Sequence, residues 1–372
     1  MKSVATSERV HIAIFGNCNS GKSSLLNAIA GQSVAVVSDV AGTTTDIVSK
    51  SIELPNIGAA ILIDTPGLDD NTELGRLRTA QSYKALPKTD IAIVLLPVEQ
   101  ALLDRLHSLE IPVIKVHSKC DLNPTQTSDD AIAISSTTGE GISQLLDTIA
   151  RTISNEERYI TEGICSAGDT VLLVMPQDSS APKGRLIKPQ VEVIRELLDR
   201  GCTPICCQPE GMATALSALV SPPKVIITDS SVFAAVKPLV PQGVTLTSFS
   251  ILFARYKGDI ELFSEGAKHL LSLPANAKIL IAEACSHIPQ SEDIGRVKLP
   301  RLLRKKLGEG ITIDIVGGAD FPEDLTKYDI IIHCGACMFN RRYVLSRISQ
   351  AKMQGVAMTN YGVAMAAMLG IE

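Results

Sequence analysis

Short apolar runs bounded by polar turns recur along the whole chain, and their lengths predict strands alternating with helices. Residues 10–15, 60–63, 91–96 and 113–117 read as buried strands in a first series. A second rhythm begins after a polar stretch at 154–168. It has strands at 171–175, 204–207, 225–228 and 244–246, with helical spacing over 186–198 and 212–219. The third series places strands at 278–282, 311–316 and 329–332 between helices over 260–271, 293–307 and 340–354. Strands that alternate with helices in this way argue parallel sheets. The pattern predicts three α/β domains over 1–163, 164–257 and 258–372, with Gly258-Asp259 as a hinge before the last.

The first strand runs into Gly16-Asn17-Cys18-Asn19-Ser20-Gly21-Lys22-Ser23 and then the helical Ser24-Leu25-Leu26. This is the phosphate-binding P-loop in its required strand–loop–helix setting. Gly16 and Gly21 let backbone N–H groups close around phosphate oxygens at a helix N-terminus. Lys22 would neutralise the β- and γ-phosphates, and the Ser23 hydroxyl would hold Mg²⁺. The strand at 60–63 ends in Asp64-Thr65-Pro66-Gly67, where Asp64 can orient Mg²⁺ and Gly67 can offer its amide to the γ-phosphate. Between them, Gly42-Thr43-Thr44-Thr45-Asp46 reads as a switch loop whose hydroxyl closes on the metal. Ser118-Lys119-Cys120-Asp121 follows another strand, and the Asp121 carboxylate can accept two hydrogen bonds from guanine. Ser135 and Ser136 precede Gly139-Glu140-Gly141 and would pack over the base. In this order the elements predict a P-loop GTPase fold that binds GTP/GDP, with Lys22, Thr44 and Gly67 nearest the reacting phosphate. Leu68 stands where Ras-like enzymes carry a water-orienting Gln, so intrinsic hydrolysis should be slow.

The last series contains a different chemistry. Ile330-Ile331-Ile332 delivers His333-Cys334-Gly335-Ala336-Cys337, and Leu280-Ile281-Ala282 leads through Glu283-Ala284 to Cys285-Ser286-His287. Any single Cys is most simply a small buried hydrophobe. Three thiols and two imidazoles at two strand ends predict a metal or cluster site. Zinc on three Cys and one His is an accepted tetrahedral set. An iron–sulfur cluster on Cys285, Cys334 and Cys337, with one iron left to an exchangeable ligand, uses the same residues. The ligand count does not separate the two. In the middle series no comparable motif stands out. Cys206 and Cys207 read as core residues on opposite faces of a strand, and Asp178, Lys183 and Arg185 as a solvated loop.

Composition narrows the classes. Of 372 residues, 45% are hydrophobic and 20% charged, as in ordinary globular domains, and the formal net charge of −5 disfavours binding to nucleic acid. No apolar run reaches spanning length and Met1 to Arg9 lacks an apolar core, so a cytoplasmic protein without a membrane segment is expected. The nine Cys would then be thiols or ligands.

On its P-loop Asn and its Gly-Thr-Thr switch, the first domain resembles the GTPases of the tRNA-modification and Era group. The resemblance implies Thr44 as the Mg²⁺-binding switch residue and a K⁺ ion held partly by Asn19. Ser118 departs from the family's Asn-Lys-x-Asp pattern, which implies weaker nucleotide affinity with base choice intact. Cys-x-His, a spacer, and His-Cys-x-x-Cys behind a GTPase resemble the [FeFe]-hydrogenase maturation GTPases over the whole chain. That family implies a [4Fe-4S] cluster on Cys285, Cys334 and Cys337, with His287 and His333 as its motif histidines. It further implies a homodimer built on the middle domain, a transient diiron subcluster, and radical-SAM maturases and apo [FeFe]-hydrogenase as partners. The alternative is a zinc-stabilised Era-like GTPase in ribosome or tRNA maturation, which the acidic balance disfavours.

Overall fold

The computed structural model describes residues 9–31, 47–68, 79, 81–122, 130–153, 158–177, 186–284, 294–318, 320–336 and 339–371. Thr44, Cys285, His287 and Cys337, with Asp178, Lys183 and Arg185, lie outside the described residues. The chain divides into two compact units, Met1–Glu156 and Glu157–Glu372.

In the first unit, β1 (Val10–Gly16), β2 (Val48–Leu54), β3 (Gly58–Asp64), β4 (Ile91–Leu95), β5 (Val113–His117) and β6 (Ile132–Ala133) form one sheet. Its order is β2-β3-β1-β4-β5-β6, and β2 alone runs antiparallel, against β3. The central strands are continuous Ile, Leu, Val and Ala because both faces are covered. Leu25 and Leu26 pack on one face with Leu145 and Ile149, and Leu86, Leu102 and Leu106 pack on the other. The apolar runs did not point to β2, whose residues alternate between half-buried and exposed, as an edge strand does.

The second unit holds two four-stranded parallel sheets. β7 (Thr170–Val174), β8 (Thr203–Cys207), β9 (Val225–Thr228) and β10 (Thr245–Ser248) lie in the order β10-β9-β7-β8. β11 (Lys278–Ala282), β12 (Thr312–Val316), β13 (Ile330–His333) and β14 (Ala357–Asn360) lie in the order β12-β11-β13-β14. The α/β class with a P-loop domain followed by parallel-sheet regions is therefore the one the sequence predicts. No described helix is long and apolar enough to cross a membrane.

Three local expectations change. Cys206 is exposed on the edge strand β8 and is not a core residue, whereas Cys207 packs against the core of that sheet. Gly258-Asp259, expected as a hinge, is closely packed in this structure. A Cβ on Gly258 would stand 2.5 Å from the Phe263 ring and 2.9 Å from the Ala254 carbonyl. Asp259 caps the helix Ile260–Leu271 by accepting from the Leu262 N–H at 3.0 Å. Finally, β14 and the following helix Tyr361–Met368 lay outside the predicted elements, because Ala357-Met358-Thr359-Asn360 is too short and too polar at its end to read as a buried run.

Register places the second unit's chemistry. Ala282 of β11 lies opposite His333 of β13, which lies opposite Asn360 of β14. Three carboxyl ends thus meet at one edge of the sheet, the position where parallel sheets form their sites.

Candidate functional site

The P-loop is shaped by backbone conformation. Asn19 and Gly21 are left-handed, at φ of 58° and 95°, and Gly21 is the residue from which the helix Lys22–Ala30 starts. Lys22 is buried, and its ammonium donates to the carbonyls of Gly16 at 3.0 Å and Asn17 at 2.6 Å. Gly16 ends β1 so close to the loop that a Cβ would meet Ser20 Oγ at 2.7 Å. Ser24 follows in the first turn of the helix, half-buried.

Two further loops close on this one. The Ser23 hydroxyl donates to Asp64 Oδ2 at 2.6 Å, which joins the P-loop helix to the end of β3. Asp64 is fully buried, and its second oxygen finds no hydrogen-bond donor among the described residues. Burial pushes the Asp64 carboxyl up, against the Ser23 hydrogen bond and the Lys22 charge that pull it down. An orphaned carboxylate oxygen beside a serine hydroxyl is a donor set that fits Mg²⁺, a hard cation that takes oxygen ligands. Gly67 lies against Cys18: a Cβ would stand 2.3 Å from its sulfur and 2.9 Å from its backbone nitrogen. Only glycine brings the Gly67 backbone this near the phosphate loop. Leu68, next in the chain, packs on the core under the sheet and offers no polar group.

The base-recognition loop is tied to the same P-loop. Ser118 Oγ donates to the Ser20 carbonyl at 2.6 Å, and Lys119 Nζ to the Asn19 carbonyl at 2.8 Å. The short Ser118 side chain thus makes a direct link across the site. Asp121 is exposed at the end of this loop. Ser135 is buried, and its hydroxyl accepts from the N–H groups of Thr137 and Thr138, so it shapes the last loop; Ser136 is half-buried beside it.

The second site centres on Cys334. Its sulfur accepts the Ala284 N–H at 3.0 Å and the Ala336 N–H at 3.4 Å, and its own N–H donates to the Ala282 carbonyl. The segment that leads into Cys285 is therefore hydrogen-bonded to the Cys334 sulfur. Ala336 adopts a left-handed φ of 47°, a conformation rare for alanine, in the turn that carries its N–H to the sulfur. Donors converging on sulfur favour a thiolate, which is the soft ligand of zinc and of iron–sulfur clusters. Among the described residues no group of three His, Cys, Asp or Glu could hold a metal, and three of the five expected ligands lie outside them.

His333 does not face that sulfur as a ligand would. It is fully buried, with Nδ1 2.6 Å from the Cys334 carbonyl and Nε2 3.0 Å from Arg347 Nη1. A guanidinium only donates, so Nε2 accepts and Nδ1–H donates to the carbonyl. Burial, with the adjacent Arg347 charge, pushes the ring down to about 3. In this structure His333 is a neutral ring whose two nitrogens are engaged by the Cys334 carbonyl and Arg347, the supporting role among the two the motif allows for it.

Residues that the sequence did not single out complete the setting. Lys257, the last residue of the helix Phe249–Lys257, is buried and donates to the carbonyls of Ala336 at 3.0 Å and Phe339 at 2.8 Å. Asn360 Nδ2 donates to the Cys334 carbonyl at 3.3 Å. Buried Glu283 accepts from Arg296 through Nε and Nη2, both at 3.1 Å. A mid-helix Arg and a Lys before Gly read as surface charge in sequence. The one signal was their place beside apolar positions of helices that pack on this sheet.

A Ras-type strand order with phosphate, Mg²⁺ and base loops at its carboxyl edge defines the first unit as a P-loop GTPase domain, and the model described as "50S ribosome-binding GTPase" matches residues 11–119. The "Hydrogen maturase F dimerization domain" matches 160–258 and the "Hydrogen maturase F tetramerization domain" matches 261–372, together more than half of the chain. The chain belongs to the hydrogen maturase F family, with a GTPase domain and two oligomerisation domains. Among curated proteins, the tRNA modification GTPase MnmE of Neisseria meningitidis FAM18 is 34% identical over 169 residues, 42% of this chain and 37% of the relative. That of Nitrosomonas eutropha is 33% identical over the same shares. The chain thus spans little more than a third of the length of these relatives. Among solved structures, Era in complex with MgGDPNP and a 16S ribosomal RNA segment aligns at 19% identity and TM-score 0.36, covering 54% of this chain and 92% of that one. NFeoB of S. thermophilus bound to GDP·AlF4⁻ and K⁺ aligns at 21% and 0.30, covering 40% and 65%.

Proposed function

We propose that this chain is a GTP-hydrolysing scaffold and carrier in [FeFe]-hydrogenase maturation, which binds a [4Fe-4S] cluster through Cys285, Cys334 and Cys337 and assembles and passes on the diiron subcluster. The observation that carries the reading is the 3.0 Å hydrogen bond from the Ala284 N–H to the Cys334 sulfur, which joins the two halves of the thiol motif. Family membership supports the same assignment. Three thiolates leave one iron open, a property suited to holding and releasing a metal fragment. His287, two residues after Cys285 in the sequence, is a candidate for that position.

In the first unit Lys22, Thr44 and Gly67 act on the γ-phosphate, Ser23, Thr44 and Asp64 hold Mg²⁺, and Asn19 contributes to a K⁺ site. Mg²⁺ and K⁺ neutralise charge on the phosphates when bound. Hydrolysis equally fast in Na⁺ and K⁺ removes the role given to Asn19. The chain works in the cytoplasm as a homodimer through the middle domain. Radical-SAM maturases supply the precursor and apo [FeFe]-hydrogenase receives it. GTP state then acts as a timer of docking, not as the driver of metal chemistry.

The deciding experiment is anaerobic reconstitution of the full chain with iron and sulfide. The expected product is brown, with about four irons and four sulfides per chain. Colourless, zinc-loaded protein overturns the cluster assignment. It would also revive the reading as a zinc-stabilised GTPase of tRNA or ribosome maturation, whose present support is confined to the GTPase segment.

A further inference from the structure

Arg347 is a buried charge with no acid paired to it among the described residues. It lies in the middle of the helix Arg341–Met353 and is 3% exposed. Its guanidinium donates to three neutral acceptors: His333 Nε2 at 3.0 Å, the Gly318 carbonyl at 2.7 Å and the Tyr343 hydroxyl at 2.6 Å. The rings of Phe321 and Tyr343 stand over it, each at 4.5 Å. No described carboxylate acts on it as a counter-charge; the Asp320 charge is felt at the Tyr343 hydroxyl instead.

Arg cannot shed its proton at any ordinary pH, and neutral acceptors solvate a charge without cancelling it. Buried charges are otherwise paired or bound to a metal group. The described groups whose charge would act on Arg347 are the Tyr343 hydroxyl, kept protonated by burial, and the Cys334 thiol, the one of the two that belongs to the metal motif. Arg347 reaches it through one imidazole: guanidinium to His333 Nε2, and His333 Nδ1 to the Cys334 carbonyl at 2.6 Å. The same sulfur receives two backbone N–H groups. The relay ends on the Cys334 carbonyl, so Arg347 sits one imidazole away from the residue whose sulfur these N–H groups surround.

We infer that Arg347 is the built-in counter-charge of the anionic metal group held at Cys334, acting through His333 as a positioning residue that also sets the group's reduction potential. This rests on the cluster assignment above. Adding an electron makes the group more negative, so a fixed cation beside it stabilises the reduced form and raises the potential.

The test is a redox titration of the reconstituted full chain, followed by electron paramagnetic resonance. Arg347→Gln keeps a donor toward His333 but removes the charge, and is expected to lower the midpoint potential. Arg347→Lys keeps the charge and is expected to stay nearer the wild type than Arg347→Gln. Phe321→Glu offers a carboxylate to the guanidinium and leaves Arg347 in place, so it should also lower the potential. It serves as the deciding variant if Arg347→Gln does not fold. Equal potentials in wild type, Arg347→Gln and Phe321→Glu overturn the inference, as does a wild-type potential in Phe321→Glu alone where Arg347→Gln is lost. Failure of the wild type to take up a cluster falls on the functional reading instead.

Discussion

At the end of β1 the chain turns backbone toward its phosphate loop, and at the end of β13 it presents a sulfur that backbone holds. The phosphate loop needs two left-handed residues, a glycine that lets the next loop approach, and one lysine, all within a few positions or in short motifs. The Cys334 loop aims its N–H groups inward at its own sulfur, and its carbonyls are held by the adjacent His333 and, from two other places in the chain, by Lys257 and Asn360. The first site is local chemistry repeated along a sheet edge. The second is a tertiary assembly in which supporting charges come from distant helices. A local site should fail through geometry at one residue, and an assembled site through any of its supports.

The sharpest test of that contrast is Cys334→Ser. Visible absorption and bound iron are expected to fall to background while GTP hydrolysis keeps its wild-type rate. Loss of both activities would mean that the sites are not separable. Next is Gly67→Ala, where the added Cβ meets the Cys18 sulfur and amide. Steady-state kinetics should show kcat down by roughly 10²-fold, the scale of losing one backbone donor at a developing charge. Cluster content should be unchanged.

Lys257→Met should cost the second unit about 1–3 kcal/mol, since two carbonyls lose their charged donor. Denaturant unfolding followed by probes in each unit should show only the second unit weakened. Ser118→Ala removes one hydrogen bond between loops, and a loss of ~1 kcal/mol corresponds to GDP binding weaker by about fivefold, read by titration. Asp259→Ala removes a helix cap for ~1 kcal/mol at neutral pH. The Asp259 carboxyl is held below its ordinary range, first by the Leu262 N–H and further by Lys352. Its contribution is therefore present above the unfolded carboxyl's range and lost as pH falls through the folded value. Wild type and variant should converge in stability in acid, and a gap that persists there would sink this account.

The P-loop fold was legible because its strands are apolar on both faces and its motifs carry chemistry in consecutive residues. Edge elements were not: β2 and β14 bury one face or only a few residues, so periodicity had little to register. Cys206 misled because two adjacent Cys in an apolar run look alike, and only sheet order reveals that β8 has an open side. His333 was legible as part of the motif, while the choice between ligand and supporting ring was not. Its motif position points toward metal, and the partner that takes its second nitrogen is fourteen residues away on a helix. Arg347 and Lys257 carry the residue types of solvated charge, and their place beside apolar helix positions was too weak a signal to mark them as buried.

The helix Phe249–Lys257 begins where β10 ends, with Ser248 capping its first turn, and finishes with its ammonium on the carbonyls of Ala336 and Phe339. One rod is thus anchored at its head in the sheet of the dimerization segment and riveted at its tail to the thiol loop of the next. A neighbour that leans on the first sheet has a mechanical lever, some nine residues long, on the grip with which the second holds its sulfur.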